Sequence, residues 1–162
     1  MNASANKVAQ KLRVTSSGFT LIELMVTIAV LAIIVGIATP SISTQLANQR
    51  VKSTTSTLEN ALKEAKIESV LRRQNMTVVY NNNGNAEGTI TVTDTTPKVI
   101  ASYQYNAKST IKPAINSIVF KPSKTATAVT YTICDSNTAV SPIEISVSAI
   151  GGITNTLQGT CP

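Results

Sequence analysis

Hydrophobic and polar positions divide the chain into three stretches. Residues 1–17 are polar and carry Lys7, Lys11 and Arg13 with no acid. From Phe19 to Ala38 every residue is apolar except Thr20, Glu23, Thr27 and Gly36, and Glu23 is the only charged side chain between Arg13 and Arg50. A helix of that length, rising about 1.5 Å per residue, reaches about 30 Å and matches a bilayer's hydrocarbon core. Basic residues before it and none just after it predict a cytoplasmic N-terminus, with the remainder on the far side of the membrane. Pro40, four residues after Gly36, lacks an amide hydrogen and crowds the preceding turn, so a kink or local loosening is expected there. Beyond it Val51, Leu58, Leu62 and Ala65 fall on one helical face. Arg50, Lys52, Glu59, Lys63, Glu64 and Lys66 mostly occupy the rest, with Glu59 and Lys63 at the favourable i,i+4 spacing. The helix is expected to end near Arg73, where Arg72 and Arg73 would complement the negative end of its dipole.

After Gln74 the period changes to two. Met76–Tyr80, Thr89–Thr93, Ile100–Tyr105, Ile118–Lys121, Val129–Cys134 and Ile143–Ser148 read as strands, most clearly in the last two. Asn81 to Asn85 is a turn, Pro97, Pro113, Pro122 and Pro142 punctuate loops, and Gly151-Gly152 reads as a hairpin turn. The expectation is an α+β protein: a leader at 1–18, a transmembrane half-helix at 19–40, an amphipathic half-helix at 41–74, and a β-rich antiparallel head at 75–162.

Composition excludes some functions and leaves others. The chain is 162 residues long, 43% hydrophobic, and has 14 basic against 8 acidic residues. This is too apolar for a disordered chain, and a net charge of +6 would suit a polyanion or an acidic membrane surface. Three of the basic residues lie in the first 17, however. There is no histidine, so histidine triads and histidine-ligated metals are impossible, and two cysteines alone cannot complete a tetrahedral zinc site. No cofactor is expected. The acids of the head are Glu87, Asp94, Asp135 and Glu144, with no phosphate-binding glycine loop and no nucleophile motif beside them, so an enzyme is not expected. From Ser41 onward 43 of 122 residues are Ser, Thr or Asn, which suits an exposed β-rich surface.

Glu23 is the anomaly in the apolar run. An acid near bilayer depth costs a few kcal/mol and usually has a partner or a function. A conventional secretory signal cut near Gly36-Ile37-Ala38 would be shorter and would carry no carboxylate. Gly18-Phe19-Thr20-Leu21-Ile22-Glu23-Leu24-Met25-Val26 instead resembles the class III signal of type IV prepilins and type II secretion pseudopilins. That resemblance implies cleavage by a prepilin peptidase between Gly18 and Phe19, N-methylation of Phe19, and a register role for Glu23. As fifth residue of the mature chain, Glu23 would neutralise the terminal amine of a neighbouring subunit. It also implies that Gly36 and Pro40 let the helix stretch on packing. The leader departs from the family pattern in being long, with its basic residues five or more positions before Gly18.

The order of elements, with Cys134-Asp135-Ser136 and the hairpin from Ile143 to Ile153, is similar to the GspH/FimT/FimU group of minor pilins and pseudopilins and implies a pilin fold. The implied function is that of a FimU-like minor pilin, a structural subunit that primes pilus assembly or sits in the tip complex, supporting twitching motility, adhesion and DNA uptake. The alternatives are a minor pseudopilin of type II secretion and a DNA-binding minor pilin for transformation. The implied partners are the prepilin peptidase, the other minor pilins and the major pilin or the pseudopilins, and the inner-membrane assembly platform. The implied location is the inner membrane, single-pass with a periplasmic head, and then the pilus. Outside the cytoplasm Cys134 and Cys161 are free to form a disulfide, the other reading being two buried thiols. If DNA is bound, Arg72, Arg73, Lys108, Lys112, Lys121 and Lys124 are the residues to hold its phosphates. The hairpin Gly151-Gly152-Ile153-Thr154 lacks the arginines of DNA-binding relatives, and no Lys or Arg follows Lys124. The ordinary reading of these lysines is a solvated surface.

Overall fold

A helix α1, Leu21–Leu71, is followed by eight strands: β1 Met76–Asn81, β2 Gly88–Thr93, β3 Val99–Tyr105, β4 Ser109–Lys112, β5 Ser117–Phe120, β6 Val129–Asp135, β7 Ile143–Val147 and β8 Ile153–Thr156. They come from a computed structural model that describes residues 18–113 and 117–161, leaving aside the side chains of 37–41. The predicted leader, apart from Gly18, therefore lies outside the described residues. The chain forms two units, Met1–Thr39 and Pro40–Pro162.

In the first unit, the apolar side chains of α1 from Leu21 to Val35 are exposed all round the helix. Among the described residues no helix is long and apolar enough to cross a membrane. The predicted span Phe19–Ala38 runs into residues 37–41, whose side chains are not among those described. Gly36 and Pro40 both lie within the bounds of α1.

In the second unit the remaining part of α1 is amphipathic. Val51, Leu58, Leu62 and Ala65 are buried as their spacing requires, and Ala47, Thr54, Ala61 and Ser69 extend the same stripe. Burying an aliphatic side chain of this size contributes about 1.5–3 kcal/mol. Glu59 and Lys63 form the expected i,i+4 pair at 2.6 Å. The helix stops at Leu71, two residues short of the expected end. Arg72 N–H still donates to the Glu68 carbonyl at 2.9 Å, and Arg73 then takes a left-handed φ of 52° that turns the chain away. The last turn of α1 contains no basic residue. Arg72 pairs back to the Glu68 carboxylate rather than complementing the dipole from within that turn.

The strands form two four-stranded sheets, β3-β2-β1-β5 and β4-β6-β7-β8, with every named pairing antiparallel. Alternation puts Met76, Val78, Tyr80, Ile90, Val92, Ile118 and Phe120 of the first sheet into the core. Ile111, Tyr131, Ile133, Ile143, Ile145 and Val147 do the same in the second, and all join the helix stripe in one buried cluster. Each of the six expected strands is present with its ends shifted by a residue. The eight observed strands include two that pattern alone did not identify. β4 is a four-residue strand running into Pro113 whose burial alternates but whose only apolar residue is Ile111, and β8 is an edge strand whose last three residues are exposed, so neither carries an apolar alternation in its sequence. The expected hairpin turn is made by Ser148 to Gly152, with Gly151 N–H donating to the Ser148 carbonyl at 2.8 Å. Gly151 has a φ of 67°, and a Cβ there would sit 2.3 Å from the Lys124 carbonyl oxygen, so only glycine fits.

Candidate functional site

Gly18, Phe19 and Thr20 precede the helix as irregular, exposed backbone. A Cβ at Gly18 would meet nothing within 4 Å. Among the described residues no packing contact therefore dictates the glycine. Phe19 is 78% exposed. Thr20 caps the helix. Its Oγ1 accepts the Glu23 N–H at 3.3 Å and its carbonyl accepts the Leu24 N–H at 3.2 Å, closing the first turn. Thr20 and Glu23 stand at the spacing of a capping box, a signal present in the sequence that the reading above did not use. The Glu23 carboxylate lies in the first turn, where the free N–H groups favour an anion, and it has no ion pair among the described residues. The Thr27 hydroxyl donates to the Leu24 carbonyl at 2.8 Å, which satisfies it inside an otherwise apolar surface. This segment presents one exposed carboxylate on an apolar rod, beside the exposed residues Gly18 and Phe19.

In the head, the strongest polar contact joins α1 to the end of β6. Arg50 donates to Asp135 through both forks of its guanidinium, Nε to Oδ2 at 2.8 Å and an Nη to Oδ1 at 2.9 Å. The Asp135 side chain is fully buried and that of Arg50 is 22% exposed. Burial pushes the Asp135 carboxyl up. The Arg50 hydrogen bonds, the Asn137 N–H and the charges of Arg50 and Lys108 more than offset that, and they hold it below the usual carboxylate range. The neighbouring Cys134 is bonded to Cys161, with Cα atoms 5.9 Å apart, so the C-terminal tail is tied to the same strand end. Sequence reasoning noted Arg50 and Asp135 separately. Nothing local signals a pair 85 residues apart.

The six basic residues named for phosphate contact do not converge. Lys108 lies near Asp135 and so near Arg50. The turn holding Lys121 and Lys124 meets the helix at Ser69, whose hydroxyl donates to the Lys121 carbonyl at 3.3 Å. About 28 Å of helix separates those two places. Arg72 is paired with Glu68, Arg73 follows it, and Lys112 stands opposite Thr132 in β4. Among the described residues no group of three or more His, Cys, Asp or Glu is placed to hold a metal ion.

The prokaryotic N-terminal methylation motif matches residues 13–39, and the type II transport protein GspH family matches residues 54–151, more than half of the chain. At the level of sequence, no curated protein matches it. Two solved structures share its fold. The type IV minor pilin FimU of Pseudomonas aeruginosa is 18% identical with a TM-score of 0.53, over 65% of this chain and 91% of that one. The minor pseudopilin EpsH of the Vibrio cholerae type 2 secretion system is 12% identical with a TM-score of 0.54, over 68% and 99%. The α+β architecture, a long N-terminal helix with antiparallel sheets, is the pilin fold of these proteins.

Proposed function

The chain belongs to the GspH family of minor pilins and pseudopilins, and from that premise we propose that it is a FimU-like minor pilin that helps prime assembly of a type IV pilus or occupies its tip complex. The observation that carries this reading is the exposed apolar rod of α1 with Glu23 in its first turn, after the exposed residues Gly18 and Phe19. Before assembly the apolar run anchors the chain in the inner membrane with its head outside the cytoplasm. A prepilin peptidase removes residues 1–18, and the amine of Phe19 is methylated. On assembly the rod leaves the lipid for a bundle of like helices, so its apolar surface stays covered throughout. Glu23 then pairs with the amine of a neighbouring subunit, and the ion pair sets axial register, the best-attested role of buried pairs. A local loosening at Gly36 and Pro40 would let the helix adjust its length as it packs. The FimU-like reading places twitching motility, adhesion and DNA uptake downstream of assembly. The dispersal of Lys108, Lys112, Lys121 and Lys124 favours assembly over direct DNA capture.

A second reading, a minor pseudopilin serving type II secretion, is favoured by the family match and by the fold shared with EpsH over 68% of this chain. Deleting the gene separates the two. Loss of surface pili and twitching with enzyme secretion intact supports the pilus, and loss of secretion with piliation intact supports the pseudopilin.

A further inference from the structure

The apolar residues of α1 do not end with its buried stripe. Ile67, Val70 and Leu71, at i, i+3 and i+4, remain exposed, Leu71 by 71%. Together with Ile153 of β8 they floor a groove of about 570 Å³ in the head, rimmed by Lys63, Lys66 and Lys124. The walls are held by contacts to the backbone, one from a side chain and the others from the main chain. Lys66 Nζ donates to the Gly151 carbonyl at 2.8 Å, Ala126 N–H donates to the Ala149 carbonyl at 3.0 Å, and Gly151 is packed so close to Lys124 that no side chain fits. The groove therefore exists before anything enters it, which lowers the ordering cost of binding.

We propose that this groove docks a carboxylate-bearing apolar segment of a different subunit in the same assembly, an inference that rests on the subunit reading above. An apolar floor inside a cationic rim is complementary to apolar side chains flanked by Asp or Glu. Lys66 keeps two N–H donors beyond the one given to Gly151, and Lys124 projects from an exposed turn. DNA is a poor fit, because no aromatic side chain lines the groove to stack a base and the floor offers a phosphate nothing polar. A second copy of this chain is also a poor fit, since the proposed assembly commits Glu23 and its apolar neighbours to the helix bundle. In the head Glu59, Glu64, Glu68, Asp94 and Asp135 are each engaged by Lys63, Tyr103, Arg72, Thr96 and Arg50 respectively. Glu144 is half-buried beside Gly159, which leaves Glu87, whose turn from Asn82 onward has only Ala86 as an apolar neighbour.

The test uses the full-length chain in its own cells, with photoreactive benzoylphenylalanine in place of Leu71 as the probe. Irradiation is expected to join it to another subunit, at a segment that mass spectrometry maps to apolar residues flanked by carboxylates. Lys124→Glu is expected to cut the yield about tenfold, since like charges at a rim oppose association. Placing Lys at the partner's carboxylate is expected to restore it. Lys124 is exposed, and an unchanged melting temperature of the full-length variant in detergent shows that the head still folds. Crosslinks to DNA, to lipid or to a second copy, no crosslink, or a yield indifferent to charge reversal would overturn the proposal. A chain present in sheared filaments without the crosslink removes the docking site and keeps the subunit reading. A chain absent from filaments that retains the crosslink does the opposite.

Discussion

Glu23 is exposed in the first turn of an otherwise apolar rod and has no ion pair among the described residues, and the register role proposed above gives it a partner in a second subunit. Glu23→Ala is expected to leave cleavage at Gly18-Phe19 intact, because the bond precedes the helix, and to reduce the chain's recovery in sheared filaments. Immunoblots of leader removal and of filament content check both halves, and normal incorporation would remove the register role. Asp135 is a different case, a buried carboxylate that has found its partner within the chain. Arg50→Ala leaves that carboxylate without its guanidinium, at an expected cost of about 2–4 kcal/mol, read as a lower denaturation midpoint at neutral pH. The pH dependence follows from the direction of the shift. The Asp135 carboxyl is held below its ordinary value in the folded head, so the stability it contributes is present above about pH 4 and is lost as pH falls through the folded value. In Arg50→Ala burial dominates and the protonated acid is the better-tolerated form. The gap between variant and parent is therefore expected to narrow below about pH 4.

Elements differ in how far the sequence reveals them, for physical reasons. The buried stripe of α1 could be read because a 3.6-residue period places Val51, Leu58, Leu62 and Ala65 on one face whatever packs against it. The six strands with one buried face were readable by the same logic at a period of two. β4 and β8 were missed because pairing with β6 and β7, not a pattern of their own, makes them strands. At the N-terminus the whole candidate site was readable, since its chemistry lies in consecutive residues. The Arg50–Asp135 clamp and the lysine-rimmed groove were not, because each joins residues that only the fold brings together. Two element-level predictions follow from the packing. Leu62→Ala, at a fully buried position facing both sheets' core, is expected to cost about 2–5 kcal/mol in denaturant unfolding. Cys161→Ser opens the loop closed between residues separated by 27 in sequence. On the chain-entropy estimate it is expected to cost about 3.5 kcal/mol, measured as the difference in unfolding free energy from the oxidised parent.

The +6 charge of the whole molecule suggested a polyanionic partner, and the leader and the head divide that charge unequally. Lys7, Lys11 and Arg13 lie ahead of Gly18, and Glu23 belongs to the apolar run. The remaining 11 basic and 7 acidic residues leave a head of +4. Much of that is committed: Arg50 to Asp135, Lys63 to Glu59, Arg72 to Glu68 and Lys66 to the Gly151 carbonyl. What remains in the second unit is a polar, mildly basic surface, and among the described residues most of the exposed large apolar side chains belong to the first unit. The central claim, that the chain is a processed class III subunit, is tested most directly by the intact mass of the protein recovered from cells. The account predicts a mass short by residues 1–18 and heavier by one methyl group on Phe19. A retained leader, or an N-terminus after Ala38, would contradict it.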